Sequence, residues 1–310
     1  MMIWTVTVNP ALDITYGVSE LRPGQVHRVH DVQVRPGGKG LNVSRVLAAL
    51  EVQTTATGFI GGHAGDLFEQ LLGECKGHSF IHPAFVRTNH ETRRSVAIVA
   101  QNEATVLNEA GAGLTEADFA SLTRTLSAVG NSDVVAISGS FPPGNSDYLP
   151  HIVKTVKQAG GTCIVDTSGP ALLEAAKAGA DILKPNHEEL ADLTDSHDLQ
   201  RGIDFLLGAG AGGVVCSRGE DGFVAQINHG ERVRVAPPAV IAGNPTGAGD
   251  ASVAALARGA ARDGLAAAQD GTVLRKWLVD AAALAGAAVA APVAGEIVMD
   301  VYDRLLHAQA

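Results

Sequence analysis

The sequence predicts an α/β fold: a mainly parallel sheet flanked by helices, with a small extra β-sheet. Three observations carry this expectation. Short apolar runs alternate with helical patterns along most of the chain, the rhythm of βαβ units. Polar and glycine-rich residues recur where those runs end, at the edge where open α/β sheets bind ligands. Two β-like pieces, at about 14–35 and 91–108, interrupt the rhythm and suggest a small sheet projecting from the body.

Taken in order, Trp4, Val6 and Val8 alternate with Thr5 and Thr7, so a first strand ends at Asn9-Pro10. Residues 14–35 carry two further alternating stretches around the turn Arg22-Pro23-Gly24. Pro36-Gly37-Gly38-Lys39-Gly40 then opens a helix whose apolar residues Val43, Val46, Leu47 and Leu50 fall at i, i+3, i+4 and i+7. Residues 94–100 and 105–108 read as a hairpin around Gln101-Asn102-Glu103. Buried strands are expected at 134–137, 163–165, 181–183 and 213–216. They lead into 138–144, Asp166, Lys184-Pro185-Asn186 and Ser217-Arg218-Gly219 respectively. No repeat or linker divides the 310 residues, so one domain with a small addition is expected.

Composition narrows the function. Apolar residues make up 46%, ample for a core, and aromatic residues only 4%. Scarce aromatics and a net charge of −10 argue against a nucleic-acid partner. An anionic substrate would need a local basic cluster set against that field. The three cysteines, Cys75, Cys163 and Cys216, form neither a disulfide framework nor a metal pattern, and the last two read as buried strand residues. With neither a signal peptide nor a membrane span in the pattern, a cytoplasmic enzyme is the expectation.

The most informative stretch is 243–250, Gly-Asn-Pro-Thr-Gly-Ala-Gly-Asp, which runs into an alanine-rich helix. The free N–H groups and dipole of a helix start attract anions, and Gly247 and Gly249 let the backbone approach one closely. A carboxylate there, Asp250, makes chemical sense if it takes a proton from an attacking hydroxyl; the alternative is an ordinary turn. The glycines at 37–40 open a second helix, with Lys39 and Asn42 as polar groups, or mark a tight turn with a solvated lysine. Asp13, after the first strand, either accepts bonds from sugar hydroxyls or fixes a turn. Arg28, Arg93 and Arg94 lie on the extra β-pieces and match phosphate geometry, as many surface arginines do. Asn186 and Glu189 read either as ligands of a hydrated Mg²⁺ or as an N-cap with its capping-box glutamate. The run 58–65 lacks the spacing of a dinucleotide fingerprint.

Together these segments resemble the PfkB, or ribokinase-like, carbohydrate kinases. The likeness rests on Gly-Gly-Lys-Gly-Leu-Asn at 37–42, Ser-Gly-Ser-Phe-Pro-Pro-Gly at 138–144, Lys-Pro-Asn-His-Glu-Glu-Leu at 184–190 and Asn-Pro-Thr-Gly-Ala-Gly-Asp-Ala at 244–251. Thr-Val-Asn-Pro-Ala-Leu-Asp at 7–13 and Glu-Thr-Arg at 91–93 are similar to the 1-phosphofructokinase and tagatose-6-phosphate kinase branch. The resemblance implies a three-layer αβα sandwich with a β-sheet lid that often forms a homodimer contact, and ATP-dependent phosphorylation of a sugar phosphate. It implies Asp250 as base and the amides of Gly247, Ala248 and Gly249 as anion hole. Asp13, Gly38 and Asn42 would hold the sugar, and Arg28, Lys39 and Arg93 its phosphate, with Ser140 nearby. Lys184, Asn186, Ser217, Gly219 and Thr246 would line the ATP side, and Glu189 would act on Mg²⁺ through water. Ser95 and Phe141 depart from the branch's usual residues, and Arg94 adds a cation.

Overall fold

In the computed structural model of this chain, every residue is described except 102, 238, 240, 309 and 310. The strands are β1 (Ile3–Thr7), β2 (Ala11–Val18), β3 (Asp31–Gly37), β4 (Thr54–Gly61), β5 (Ile81–Pro83), β6 (Val86–Thr88), β7 (Arg93–Ala100), β8 (Glu103–Asn108), β9 (Val134–Ser138), β10 (Thr162–Asp166), β11 (Ile182–Leu183), β12 (Gly213–Ser217), β13 (Phe223–Ile227) and β14 (Val233–Val235). The helices are α1 (Lys39–Ala49), α2 (Gly62–Glu74), α3 (Glu116–Leu126), α4 (Leu149–Gln158), α5 (Pro170–Lys177), α6 (His187–Thr194), α7 (Leu199–Gly208), α8 (Ala248–Asp263), α9 (Gly271–Val289) and α10 (Met299–His307).

The main sheet runs β14-β13-β12-β11-β10-β9-β1-β4-β5, with β6 also on β4. It is parallel from β12 through β5, and β13 and β14 close it antiparallel. Its central strands are apolar at successive positions because both faces are covered. Val134 and Ala136 of β9 pack into one cluster with α1, α8, α9 and α10, while Val135 and Ile137 pack into another with α3, α4, α5 and α7. The result is the expected three-layer αβα sandwich.

A second, four-stranded sheet has the order β3-β2-β7-β8. β2 pairs antiparallel with β3 and parallel with β7, so Ala11 lies beside both Gly37 and Arg93. The end of this sheet that adjoins the main body therefore carries Asp13, Gly37 and Arg93. The two interrupting pieces do form one sheet, with different bounds. β2 starts at Ala11, before residue 14, and 19–30 is an irregular connection without a strand of its own. That segment packs against no core, and its Val26 is 93% exposed, so its alternation selects no strand face. Of the expected hairpin turn, Asn102 lies outside the described residues.

The run 58–65 ends β4 and begins α2. Gly58 keeps β4 against β1: a Cβ there would stand 1.9 Å from the Thr7 carbonyl oxygen, and its φ is +152°. Among the described residues, no helix is long and apolar enough to cross a membrane. Gly58→Ala should force β1 and β4 apart and destabilise the fold by about 3 kcal/mol or more. Chemical denaturation would check this, because a loss below about 1 kcal/mol would mean the strand absorbs a methyl freely.

Candidate active site

The sequence places three helix starts, α1, α6 and α8, at the edge where β9, β10 and β11 end. Gly247, at φ +93°, caps α8; a Cβ there would come within 2.9 Å of Ala294 Cα, so only glycine fits the turn. Asp250 follows in the first helical turn and is 5% exposed. Asn42, one turn into α1, donates from Nδ2 to Asp250 Oδ2 at 2.8 Å. Burial raises the Asp250 pKa to about 7, with repulsion from Asp166 adding to the rise and the Asn42 hydrogen bond opposing it. This carboxyl therefore changes protonation near neutrality, as a general base requires. Of the three amides expected to receive an anion, Ala248 N–H already donates to the Pro245 carbonyl at 3.2 Å. The N–H groups of Gly247 and Gly249 have no hydrogen-bond partner among the described residues.

Asp166, at the end of β10, organises the cations. Its Oδ1 lies 3.1 Å from Lys184 Nζ, with both side chains almost fully buried, and its Oδ2 lies 3.7 Å from Lys39 Nζ. Burial alone would push the Asp166 pKa up; the two lysines outweigh it and hold it below the usual carboxylate range. The Lys39 pKa is raised chiefly by Asp166, with Asp250 and Glu189 contributing, so all three carboxylates lie within its electrostatic reach. A Cβ on Gly249 would stand 3.6 Å from Lys184 Nζ, which places that ammonium directly beside the start of α8. Sequence alone marks Asp166 only as a strand end, although its place at the carboxyl end of a parallel strand is the one that singles out Lys184.

On the lid side, Asp13 lies over Gly37: a Cβ on Gly37 would stand 2.0 Å from Asp13 Oδ2. Burial raises the Asp13 pKa to about 6 against the opposing pull of Arg93 and Arg45. Arg93 is braced by the Asn9 and Glu109 carbonyls, its Nε and one terminal nitrogen each at 3.1 Å, which leaves its other terminal nitrogen without a hydrogen bond among the described residues. Arg94 points away, with Glu91 and Glu109 each at 3.9 Å. Ser95 donates to Asn108 on β8 at 2.7 Å. Gly38 caps α1 beside Lys39, and Ser140 is exposed on the loop after β9. Arg28 is exposed on 19–30, at the end of the lid opposite Asp13, so a single chain does not bring it to the site.

On the other side, Asn186 and Glu189 form the capping box of α6: the Glu189 amide donates to Asn186 Oδ1 at 2.7 Å, and the Asn186 amide to Glu189 Oε2 at 2.8 Å. Ser217 joins this end of the sheet by bridging to Asn186 and donating its amide to the Pro185 carbonyl at 3.0 Å. Gly219 follows in an exposed turn at φ +55°. Thr246 is exposed, and its amide donates to Asn244 Oδ1 at 3.0 Å.

Glycine-bearing helix starts at the carboxyl edge of a parallel sheet, with two lysines and a carboxyl that titrates near neutrality, suit phosphoryl transfer. The pfkB family carbohydrate kinase profile matches residues 6–298, and the chain belongs to that family. It is a sugar kinase, and kinases of this family use ATP. Phosphofructokinase-2 of Escherichia coli, in complex with potassium, is 26% identical, with a TM-score of 0.90 over 100% of this chain and 99% of that one. Its complex with fructose-6-phosphate, also 26% identical, gives 0.86 over 99% and 98%. A possible 1-phosphofructokinase of Thermotoga maritima is 24% identical, with a TM-score of 0.79 over 99% and 98%. Arabidopsis thaliana ribokinase, complexed with ribose and ATP, is 21% identical at 0.72 over 98% of each chain. The last two share the ribokinase-like fold.

The sign of the Asp250 shift gives a stability test. Its folded pKa of about 7 lies above the unfolded 3.8, so the folded state holds a proton that the unfolded state releases. This contribution is complete below about pH 4 and is lost as pH rises to about 7. Asp250→Asn should therefore gain stability relative to the parent across that window, on the order of 4 kcal/mol at pH 8. Thermal melts at pH 4 and pH 8 would check it, and an equal effect at both would contradict the burial of an ionisable group. Asn42→Ala removes the bond that opposes the shift and should move the acidic limb of kcat/KM to higher pH.

Proposed function

We propose that this kinase transfers the γ-phosphoryl group of ATP to a hydroxyl of a hexose phosphate, with fructose 1-phosphate the first candidate acceptor and fructose 1,6-bisphosphate its product. Tagatose 6-phosphate and fructose 6-phosphate follow. The carrying observation is Asp250: a carboxyl that titrates near neutrality, held by Asn42 at a helix start with two lysines beside it. As base, Asp250 takes the proton of the acceptor hydroxyl, whose oxygen forms the new bond to phosphorus as the bond to the β–γ bridging oxygen breaks and ADP leaves. The free amides of Gly247 and Gly249, with Ala248 between them, face the charge that spreads over the transferring oxygens. One such donor is worth about 10²–10³ in rate.

A phosphorylated acceptor is favoured because Arg93 keeps a terminal nitrogen free and Lys39, though paired with Asp166, is half exposed; a neutral sugar would leave that Arg93 nitrogen without an anionic partner. The fructose-6-phosphate complex of the E. coli relative agrees with that class. Asp13, Gly38 and Asn42 hold the sugar, and Ser140 lies at the rim. Lys184, Asn186, Ser217, Gly219 and Thr246 border the nucleotide. No cluster of three metal-ligating side chains occurs among the described residues. Mg²⁺ would then be carried by ATP phosphates and water, with Glu189 as the carboxylate that would hold its hydration shell. Such an ion neutralises phosphate charge.

The lid closes over the sugar to exclude water. Its exposed Val32, Val106 and Leu107, with Val26 on the connecting segment, suit a lid-to-lid homodimer that would carry Arg28 toward the partner. Free cysteines suit a reducing, cytoplasmic setting.

An ADP-release assay over fructose 1-phosphate, fructose 6-phosphate, tagatose 6-phosphate and free hexoses should give the highest kcat/KM with a sugar phosphate; preference for a free hexose would refute the phosphate pocket. Asp250→Asn should bind ATP normally and lose at least about 10² in kcat. Arg93→Ala should raise KM for the sugar phosphate far more than for ATP, and an equal rise in both would remove Arg93 from the acceptor side.

A further inference from the structure

A cavity of about 730 Å³ lies between β3, the second half of α1, the end of α2 and residues 295–299. That volume suits a small-molecule ligand. Its inner charges are Arg35, Arg45 and Glu296, while Glu51, Glu74 and Lys76 sit exposed at the rim. Two guanidinium groups converge on one carboxylate oxygen: Arg35 reaches Glu296 Oε1 at 2.6 Å and Arg45 reaches it at 3.4 Å. The Arg45 side chain is only 10% exposed, and that long bond is its one hydrogen bond among the described residues. Arg45, with Asp13 also within its electrostatic reach, is thus held by one long contact in a largely desolvated place, and an arginine fork is shaped for a phosphate or carboxylate. Val34, Leu71, Phe80 and Ile297 supply an apolar wall beside it.

We infer that this cavity is a second binding site, for a phosphate monoester with an apolar or aromatic body, whose anion displaces Glu296 from Arg35 and Arg45. Occupancy would be felt at the candidate active site by two routes. Arg45 stands one turn after Asn42 on α1, and Asn42 holds Asp250. Glu296 follows Gly295, which packs so tightly on Asn42 that a Cβ would meet Asn42 Oδ1 at 2.8 Å, and Ala294 abuts Gly247. Releasing Glu296 thus shifts a segment that touches both the partner of Asp250 and the cap of α8.

Phenyl phosphate is the probe, titrated into full-length protein labelled with ¹⁵N-arginine, with phenol and inorganic phosphate as separate arms. The Nε–H signals of Arg35 and Arg45, assigned from Arg35→Met and Arg45→Met, should shift together with a Kd of about 1 mM or tighter. Glu296→Gln, which removes the competing carboxylate, should tighten binding about tenfold, the scale of one charge-assisted contact. Arg45→Met should abolish it; if that variant does not fold, Arg35→Met and Glu296→Gln still decide. Silence of both signals, a response confined to Arg93, or weaker binding by Glu296→Gln would overturn the site. Turnover at saturating substrates should change about fivefold or more with the same Kd, within the usual range of coupling between sites. This arm alone rests on the kinase reading: binding with unchanged turnover would overturn the coupling, and an inactive enzyme would leave the binding arms to decide the site.

Discussion

Two buried carboxylates share one small region of this molecule, and the protein treats them differently. Asp166 is held ionised by Lys184 and Lys39, whereas Asp250 has a neutral partner, Asn42, and a titration point near 7. Environments that push like groups apart in pKa assign acid and base roles within a site. The sheet order supplies the setting, because β10 and β11 are neighbours and deliver Asp166 and Lys184 at adjacent strand ends. Helix α1 packs against α8, which brings Asn42 to Asp250 across 208 residues of sequence. The stability lost by keeping Asp250 buried is offset elsewhere in the fold, by cores on both faces of the sheet.

The lid completes this frame on one side only. Arg93 is oriented by two backbone carbonyls, so its free nitrogen has a fixed direction, while Arg94 is compensated by Glu91 and Glu109. Two adjacent arginines of equal promise in sequence thus differ because successive residues of a strand face opposite sides. On the other flank, the cavity around Arg35 and Arg45 touches the same helix that carries Lys39 and Asn42. A single helix therefore carries Lys39, the Asn42 that holds Asp250, and Arg45 of the remote charge cluster.

Much of this was legible in the sequence because it rests on local rules. Apolar runs at 134–137, 163–165 and 213–216 became β9, β10 and β12, since strands covered on both faces must be apolar throughout. The glycine turns before Lys39 and Asp250 became helix caps for conformational reasons that travel with the residue. What was not legible depends on tertiary contacts. The alternation over 14–35 could not show that 19–30 lacks a partner strand, nor that Arg28 would stand at the far end of the lid. Asn186 and Glu189 satisfied two readings, and the structure shows the capping box while leaving one Glu189 oxygen outside it. Asp166 gained its meaning only when two lysines, one distant in sequence, converged on it.

In the proposed reaction Asp250 is a base set near neutrality by burial and by Asp166. Carbon-13 NMR of the aspartate carboxyl groups, followed against pH in the full-length protein and in Asp250→Asn, reads that property directly. One signal should titrate near pH 7, vanish in the variant and coincide with the acidic limb of kcat/KM. A titration near 4 for Asp250, or an acidic limb unchanged in position and height by the substitution, would contradict it.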